Sequence, residues 1–267
     1  MKIGISGAGG QMGAALARYA LGRTAAADIV AITRNPAKLE ELAKRGVERA
    51  DMIPTGDLQP GVRIQQHTNA INAAAGAGVR HLIYISTVSP RPDPNNSLLD
   101  SHFATEQALI GSGMAWTILR MSVYMDTLVD AAKRAAASGS YAAVPGAPAA
   151  YVTRDDIAAA AAGIVCTAGH VGITYHATGP ASLSQAEIAE TIGKAAGKPV
   201  AFVETTEAQQ RAGLEAAGLP TPVVNVIVGF QAALRAGAFD LVTGDAGRLA
   251  GRPAEPLLHF LGRALAA

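Results

Sequence analysis

The first thirteen residues, MKIGISGAGGQMG, constrain the fold of this chain more than any other stretch. Ile3 and Ile5 are apolar at a spacing of two, small residues follow, and a helical pattern starts at Met12. That order predicts a short buried strand, a tight turn and a helix start. Gly7, Gly10 and Gly13 are spaced G-x-x-G-x-x-G. In a strand-turn-helix unit the first glycine permits the turn and the second lets backbone N–H groups approach a pyrophosphate. The third lets the helix pack closely on the strand. The helix start then offers unpaired N–H groups and a partial positive charge to phosphates. A purely structural turn would look similar, but the context of strand before and helix after favours nucleotide binding.

Composition narrows the alternatives. A chain of 267 residues buries a sizeable core, and 49% hydrophobic with 16% charged residues describes a globular protein. The formal net charge of +1 gives no electrostatic case for nucleic acid or an acidic membrane surface. Cys166 is the lone cysteine, so no internal disulfide framework is expected and a reducing compartment fits. The six histidines are scattered without metal-ligand spacing, so no metal site is expected. The Ala-rich run Ile157 to Val165 is apolar but shorter than the ~20 residues a membrane span needs. The sequence opens on a strand and shows no leader-like stretch, so a cytoplasmic location is expected.

The second strand, Asp28 to Thr33, ends where the cofactor is chosen. An NAD-specific site places Asp or Glu here to hold the adenosine ribose. This chain has Thr33-Arg34-Asn35, with Lys38 one helical turn further on. Arg34 would pair with a 2′-phosphate as a charge-assisted fork, so NADP(H) is preferred and NAD(H) remains possible. A helix is expected over 36–45, closed by Gly46, and a third strand from Val47. The pattern is then interrupted. From Val47 to Pro60 there is room for little besides one short strand and a loop, yet a parallel crossover takes about a dozen residues or more. Met52 to Gly56 reads as the end of a further strand whose earlier part is missing after Asp51.

A helix is expected over 62–77 and a strongly apolar strand over 81–86. That strand delivers Ser86, Thr87 and Ser89 to the sheet's carboxyl edge, where ligands bind. Next come a helix over 98–112 carrying His102 and Glu106, a strand over 116–120, and the segment Met121-Ser122-Val123-Tyr124-Met125. The rest is read as a helix over 129–138, a loop over 139–150, and a helix opened by Thr153 and Asp156 in the manner of a capping box. A strand over 174–178 and a helix opened by Ser184 and Glu187 follow. A short strand over 200–203 and helices over 207–217, 222–236 and from 255 complete the chain. The division expected is a dinucleotide-binding domain over 1–150 and a smaller C-terminal substrate region over 151–267, with some segments interleaving.

The ordered stretches GAGGQMG, TRNPAKLEELAKRGVE, QQHTNAINAAAGAGVRHLIYIST, HFATEQALIGSGMAWTILR, YVTRDDIA, TGPASLSQAEIA and TGDAGRL resemble the NmrA-like branch of atypical short-chain dehydrogenases. The resemblance covers nearly the whole chain and lies toward the quinone oxidoreductase and triphenylmethane reductase members. It implies an α/β fold: a Rossmann-type doubly wound parallel sheet with a small α/β C-terminal substrate domain. It implies cofactor contacts from Gly7, Gly9, Gly10, Gln11, Met12 and Gly13, from Arg34 and Lys38, from Pro54 and Thr55, and from Ser86. It also places Met121, Ser122, Val123 and Tyr124 beside the nicotinamide. Two departures stand out. The helix and most of the strand that the family carries between Asp51 and Met52 are absent, which would leave two neighbouring strands without partners. The helix that holds Tyr-x-x-x-Lys in typical short-chain dehydrogenases reads His102-Phe-Ala-Thr-Glu106 here. Ser86, His102 and Tyr124 are the candidates for polarising or protonating an acceptor oxygen. The implied activity is NADPH-dependent hydride transfer to a quinone or similar flat aromatic acceptor. A sensor that binds NADP without turnover, and a tailoring enzyme of aromatic polyketides, remain open alternatives. Late helices with exposed faces could support a homodimer.

Overall fold

The computed structural model describes residues 2–33, 35–51, 61–93 and 97–266. In chain order the elements are β1 (Ile3–Ser6), α1 (Gln11–Leu21), β2 (Ile29–Thr33), α2 (Glu40–Lys44), β3 (Glu48–Asp51), α3 (Val62–Gly76), β4 (His81–Thr87), α4 (Ser97–Ile110) and β5 (Ala115–Met121). They continue with α5 (Val129–Ser138), β6 (Ser140–Ala143), α6 (Arg154–Cys166), β7 (Ile173–Ala177), α7 (Gln185–Ala196) and β8 (Ala201–Glu204). The last are α8 (Glu207–Ala216), α9 (Thr221–Arg235), α10 (Asp245–Ala250) and α11 (Leu257–Ala266). Among the described residues no helix is long and apolar enough to cross a membrane.

The strands form parallel sheets in the orders β1-β2-β3, β4-β5-β7 and β6-β8. Ile3, Ile5, Ile29 and Ala31 bury one face of the first sheet against Ala17 and Ala20 of α1. In the second sheet Ser86 stands opposite Arg120, Thr87 opposite Met121, and Met121 opposite Ala177. Three carboxyl ends therefore finish level, which makes a common edge for a ligand. Side chains alternate across this sheet, as strand geometry requires. Ile83, Ile85 and Met121 join a cluster with Met12 and Leu16 of α1 and Ile157, Ala160 and Ile164 of α6. Leu82 and Tyr84 face the other way, toward Ile71 of α3 and Leu109 of α4.

Among the described residues β1 pairs with β2 and β4 pairs with β5, and no pairing joins the two sheets. They share a helical layer instead, since α1 packs on α6 and residues of α1, α6 and β4 border one apolar cluster. Ten residues separate Asp51 from Val62, too few for the helical crossover that would normally feed a strand into the space between β1 and β4.

The chain after residue 150 divides between two jobs. The α6 helix and β7 complete the dinucleotide-side layers, as β7 pairs with β5. A second apolar cluster holds α5, α7, α9 and α11 together through Leu128, Ala132, Ile188, Ile192, Ala233, Leu234, Leu257 and Leu261. Two elements differ from the sequence expectation. The segment taken as a loop over 139–150 contains β6, whose Ser-Tyr-Ala-Ala offers only Tyr141 as a large buried residue. The six-residue α10 is too short to show a helical period.

Asp156 also plays a part beyond that of a capping residue. Thr153 accepts the Asp156 N–H (2.9 Å) and donates its hydroxyl to the Asp156 carboxylate (2.8 Å). That carboxylate, on a residue only 1% exposed, also pairs with Arg252 and accepts the Glu255 N–H. It therefore ties the C-terminal segment to the start of α6. Asp156→Ala should cost about 3 kcal/mol in urea unfolding, because it removes the buried partner of Arg252 and leaves the Thr153 hydroxyl and the Glu255 N–H without their acceptor. Asp155→Ala, which removes the exposed partner of the same Arg252, should cost about 1 kcal/mol or less.

Candidate functional site

The glycine turn is built as a cradle. Gly7 adopts φ +71°, the left-handed conformation that side chains resist. Gly10 N–H donates to the Gly7 carbonyl, and Ala8 N–H ties the turn to Ile32 of β2, both at 2.9 Å. A Cβ on Gly13 would lie 2.3 Å from the Gly7 carbonyl oxygen, so the helix passes the turn at a distance only glycine allows. A Cβ on Gly9 would meet Thr33 Oγ1 at 2.5 Å and the Lys38 Cβ at 3.4 Å, which sets Lys38 beside the turn. No side chain caps α1, and its first turn holds no acidic residue. Its N-terminus is thus fit to receive a dinucleotide's phosphates. Gln11 is exposed at this helix start. Arg34, Pro54 and Thr55, expected at the same cofactor, lie outside the described residues.

The second half of the site is the carboxyl edge of β4 and β5. Ser86 is fully buried and Ser122 nearly so, and the hydroxyl oxygens of both lack a partner. Buried hydroxyls are normally bonded, so these two, at the ends of adjacent strands, are free to serve a ligand's polar groups. The Ser122 N–H donates to Ala177, and Val123 accepts the Val152 N–H, so the segment after β5 is fixed by its backbone. Met12, Met121 and Tyr124 pack into one apolar cluster with Ile85. The start of α1, the end of β5 and Tyr124 thus border one apolar cluster. Thr87, also buried, extends the same edge.

Tyr124 is held from above by Arg154, whose guanidinium carbon lies 4.5 Å from the ring centroid. Arg154 also pairs with Asp126 at 2.5 Å. Among the described residues the Tyr124 hydroxyl makes no hydrogen bond. Burial of the ring pushes this phenol up to about 12, while Arg154 pulls it down and Asp126 pushes it up. It stays protonated and available as a donor.

His102 is placed differently from Tyr124. It is 3% exposed on the α3–α4 side of the sheet, with Nδ1 2.7 Å from Tyr84 Oη and Nε2 facing Arg63 at 3.5 Å. Arginine can only donate, so Nε2 accepts and Nδ1 carries the proton toward Tyr84. Both nitrogens are engaged, and burial with the Arg63 charge pulls the imidazole down to about 3. Nearby, Glu106 and Arg120 form a forked ion pair between α4 and β5. His102 belongs to this buried clamp. Arg154 drew only a capping role for its neighbours in the sequence. A signal was present: a cation at the first position of a helix opposes the helix dipole and needs an outside partner.

The fold and the cradle define a dinucleotide-binding protein of the Rossmann class. The chain belongs to the NmrA-like family, whose profile matches residues 50–240. Quinone oxidoreductase 2 of Escherichia coli (strain K12) is 33% identical over 258 aligned residues, covering 89% of this chain and 90% of that protein. The crystal structure of the NADPH-dependent quinone oxidoreductase from Escherichia coli in complex with NADPH superposes with a TM-score of 0.88 at 30% identity, covering 97% of this chain and 98% of that one. The Citrobacter sp. triphenylmethane reductase in complex with NADP(H) gives 0.90 at 26% identity, covering 99% of this chain and 100% of that one.

Proposed function

We propose that this protein is an NADPH-dependent reductase that transfers hydride to a quinone or a similar flat aromatic acceptor. The observation that carries the proposal is an uncapped glycine cradle and a phenol whose hydroxyl is unused, with Met12 of the helix that follows the cradle and the Tyr124 ring packed against one apolar cluster. The named activities and bound cofactors of the two relatives above support it. The bound dinucleotide would supply the hydride. The cradle from Gly7 to Gly13 and the start of α1 hold its pyrophosphate. Arg34, with Lys38 four positions further along the chain, takes the 2′-phosphate. Ser86 and Ser122 offer hydroxyls to polar groups at the strand ends. Met12, Met121 and Ile85 give an apolar wall that excludes water from flat rings. Tyr124 donates a hydrogen bond to the acceptor oxygen as negative charge develops there.

The test follows NADPH and NADH absorbance with purified protein and a panel of quinones and cationic dyes. Consumption of NADPH with a quinone is expected. Tight binding with no consumption across the panel would replace this proposal with a non-catalytic NADP sensor. Arg34→Ala should weaken NADPH by roughly 10- to 100-fold and leave NADH nearly unchanged, the loss expected for a charge-assisted phosphate contact of about 1.5–3 kcal/mol. Equal losses for the two cofactors in fluorescence titrations would remove Arg34 from the phosphate site.

A further inference from the structure

We infer that Arg154 is a positioning residue for the reduction step, holding the Tyr124 ring so that its hydroxyl can donate to the acceptor. This rests on the role proposed above for Tyr124. Arg154, Asp155 and Asp156 open α6 in succession, yet their side chains separate. Asp155 and Asp156 turn to Arg252, while Arg154 turns to Asp126 and the Tyr124 ring. A guanidinium at a helix N-terminus meets the wrong end of the dipole, so local helix energetics do not hold it there. Two contacts outside the helix do: the ion pair with Asp126 and the π face of Tyr124.

The backbone makes this arrangement rigid. Tyr124 and Val152 form a parallel bridge, Met125 N–H donates to Val152 and Val152 N–H donates to Val123. The segments 123–125 and 152–154 thus run side by side, and the ring of one is clamped by the side chain of the other. Asp126 gains little elsewhere, since its Oδ2 is buried without a partner. Loss of Arg154 would leave that carboxylate uncompensated and release the ring from its cover. A phenol that must meet an acceptor oxygen within hydrogen-bonding distance depends on such fixation, because small displacements cost rate steeply.

The experiment is a double-mutant cycle on kcat with NADPH and a quinone, using Arg154→Met, Tyr124→Phe and the double variant. Arg154→Met is expected to lower kcat by roughly tenfold while the KM for quinone and the NADPH affinity by fluorescence change less than about twofold. The double variant should be no slower than Tyr124→Phe alone, because Arg154 acts through the lost hydroxyl. Arg154→Lys, which keeps the charge but not the planar fork, should recover part of the rate and stands in if the methionine variant fails to fold. Additive losses, or full activity in both Arg154 variants beside a slow Tyr124→Phe, overturn the inference and leave the Tyr124 role intact. A Tyr124→Phe enzyme with undiminished kcat overturns the Tyr124 role, and this inference with it.

Discussion

Gly13→Val should yield a protein with no measurable NADPH binding in fluorescence titration and a thermal midpoint lowered by several degrees. The reason is the identity of the atoms a side chain would strike. A Cβ at Gly13 would lie 2.3 Å from the carbonyl oxygen of Gly7, 2.6 Å from its carbonyl carbon and 2.7 Å from the Cα of Ala8. All three are backbone atoms of the turn, so no rotamer change relieves the clash. Either α1 moves away from β1 or the turn opens, and overpacking of this kind costs about 1–3 kcal/mol or more. Both movements displace the N–H groups that form the cradle. Gly10→Ala is the informative contrast. Its Cβ would approach only the Gly7 carbonyl, at 3.3 Å, so the fold should accept it with a nearly unchanged midpoint. Affinity should still fall, because the methyl occupies space the pyrophosphate needs. Wild-type binding by Gly13→Ala would show that the phosphates sit elsewhere.

The cradle was legible in the sequence because its physics is local. Strand period, glycine spacing and helix start lie within thirteen residues, and α1 runs from Gln11 to Leu21 as expected. The capping box of Ser184 and Glu187 was legible for the same reason, and both of its reciprocal bonds are present. The interruption after Asp51 could be read from chain length alone. How the sheets meet is a tertiary matter: among the described residues β1 and β4 fall in separate sheets that share the layer of α1 and α6. The alternation of β4 decides the fate of its neighbours in a similar way. His102 and Tyr84 share one buried side of that strand, and nothing in HFATE says which way the imidazole turns. Arg154 and Tyr124 lie thirty positions apart, and only the bridge between Tyr124 and Val152 brings them together. Sequence spacing shows which residues share a helix or strand face. It does not show which faces meet.

Acid should destabilise this protein steeply between pH 6.5 and 4, a window set by two buried histidines. Burial, with the Arg63 charge adding to it, lowers His67 from 6.5 to about 4 and His102 to about 3. His67 contacts Thr105 through Nδ1 at 2.8 Å, and its ring meets Tyr84 edge-on, while the His102 ring also lies against Tyr84. Above pH 6.5 neither the folded nor the unfolded chain protonates these groups, and their contribution to stability is complete. As pH falls through 6.5 the unfolded chain takes up two protons that the folded chain refuses. Stability is therefore lost until the folded-state values near 4 and 3 are passed, and these two groups cause no further loss below that. With about 1.4 kcal/mol per unit of difference for each group, the combined loss reaches several kcal/mol, on the order of a domain's whole stability. Urea midpoints measured from pH 7 to pH 4 should show this slope. His67→Gln, which can keep a bond to Thr105 and cannot titrate, should make it shallower. A wild-type midpoint that stays flat over that range would mean both imidazoles charge freely in the folded state. The clamp they form joins α3 and α4 to β4, the strand that carries Ser86. Activity lost on acidification should therefore follow unfolding of this clamp, and the urea midpoint and the rate should fall together.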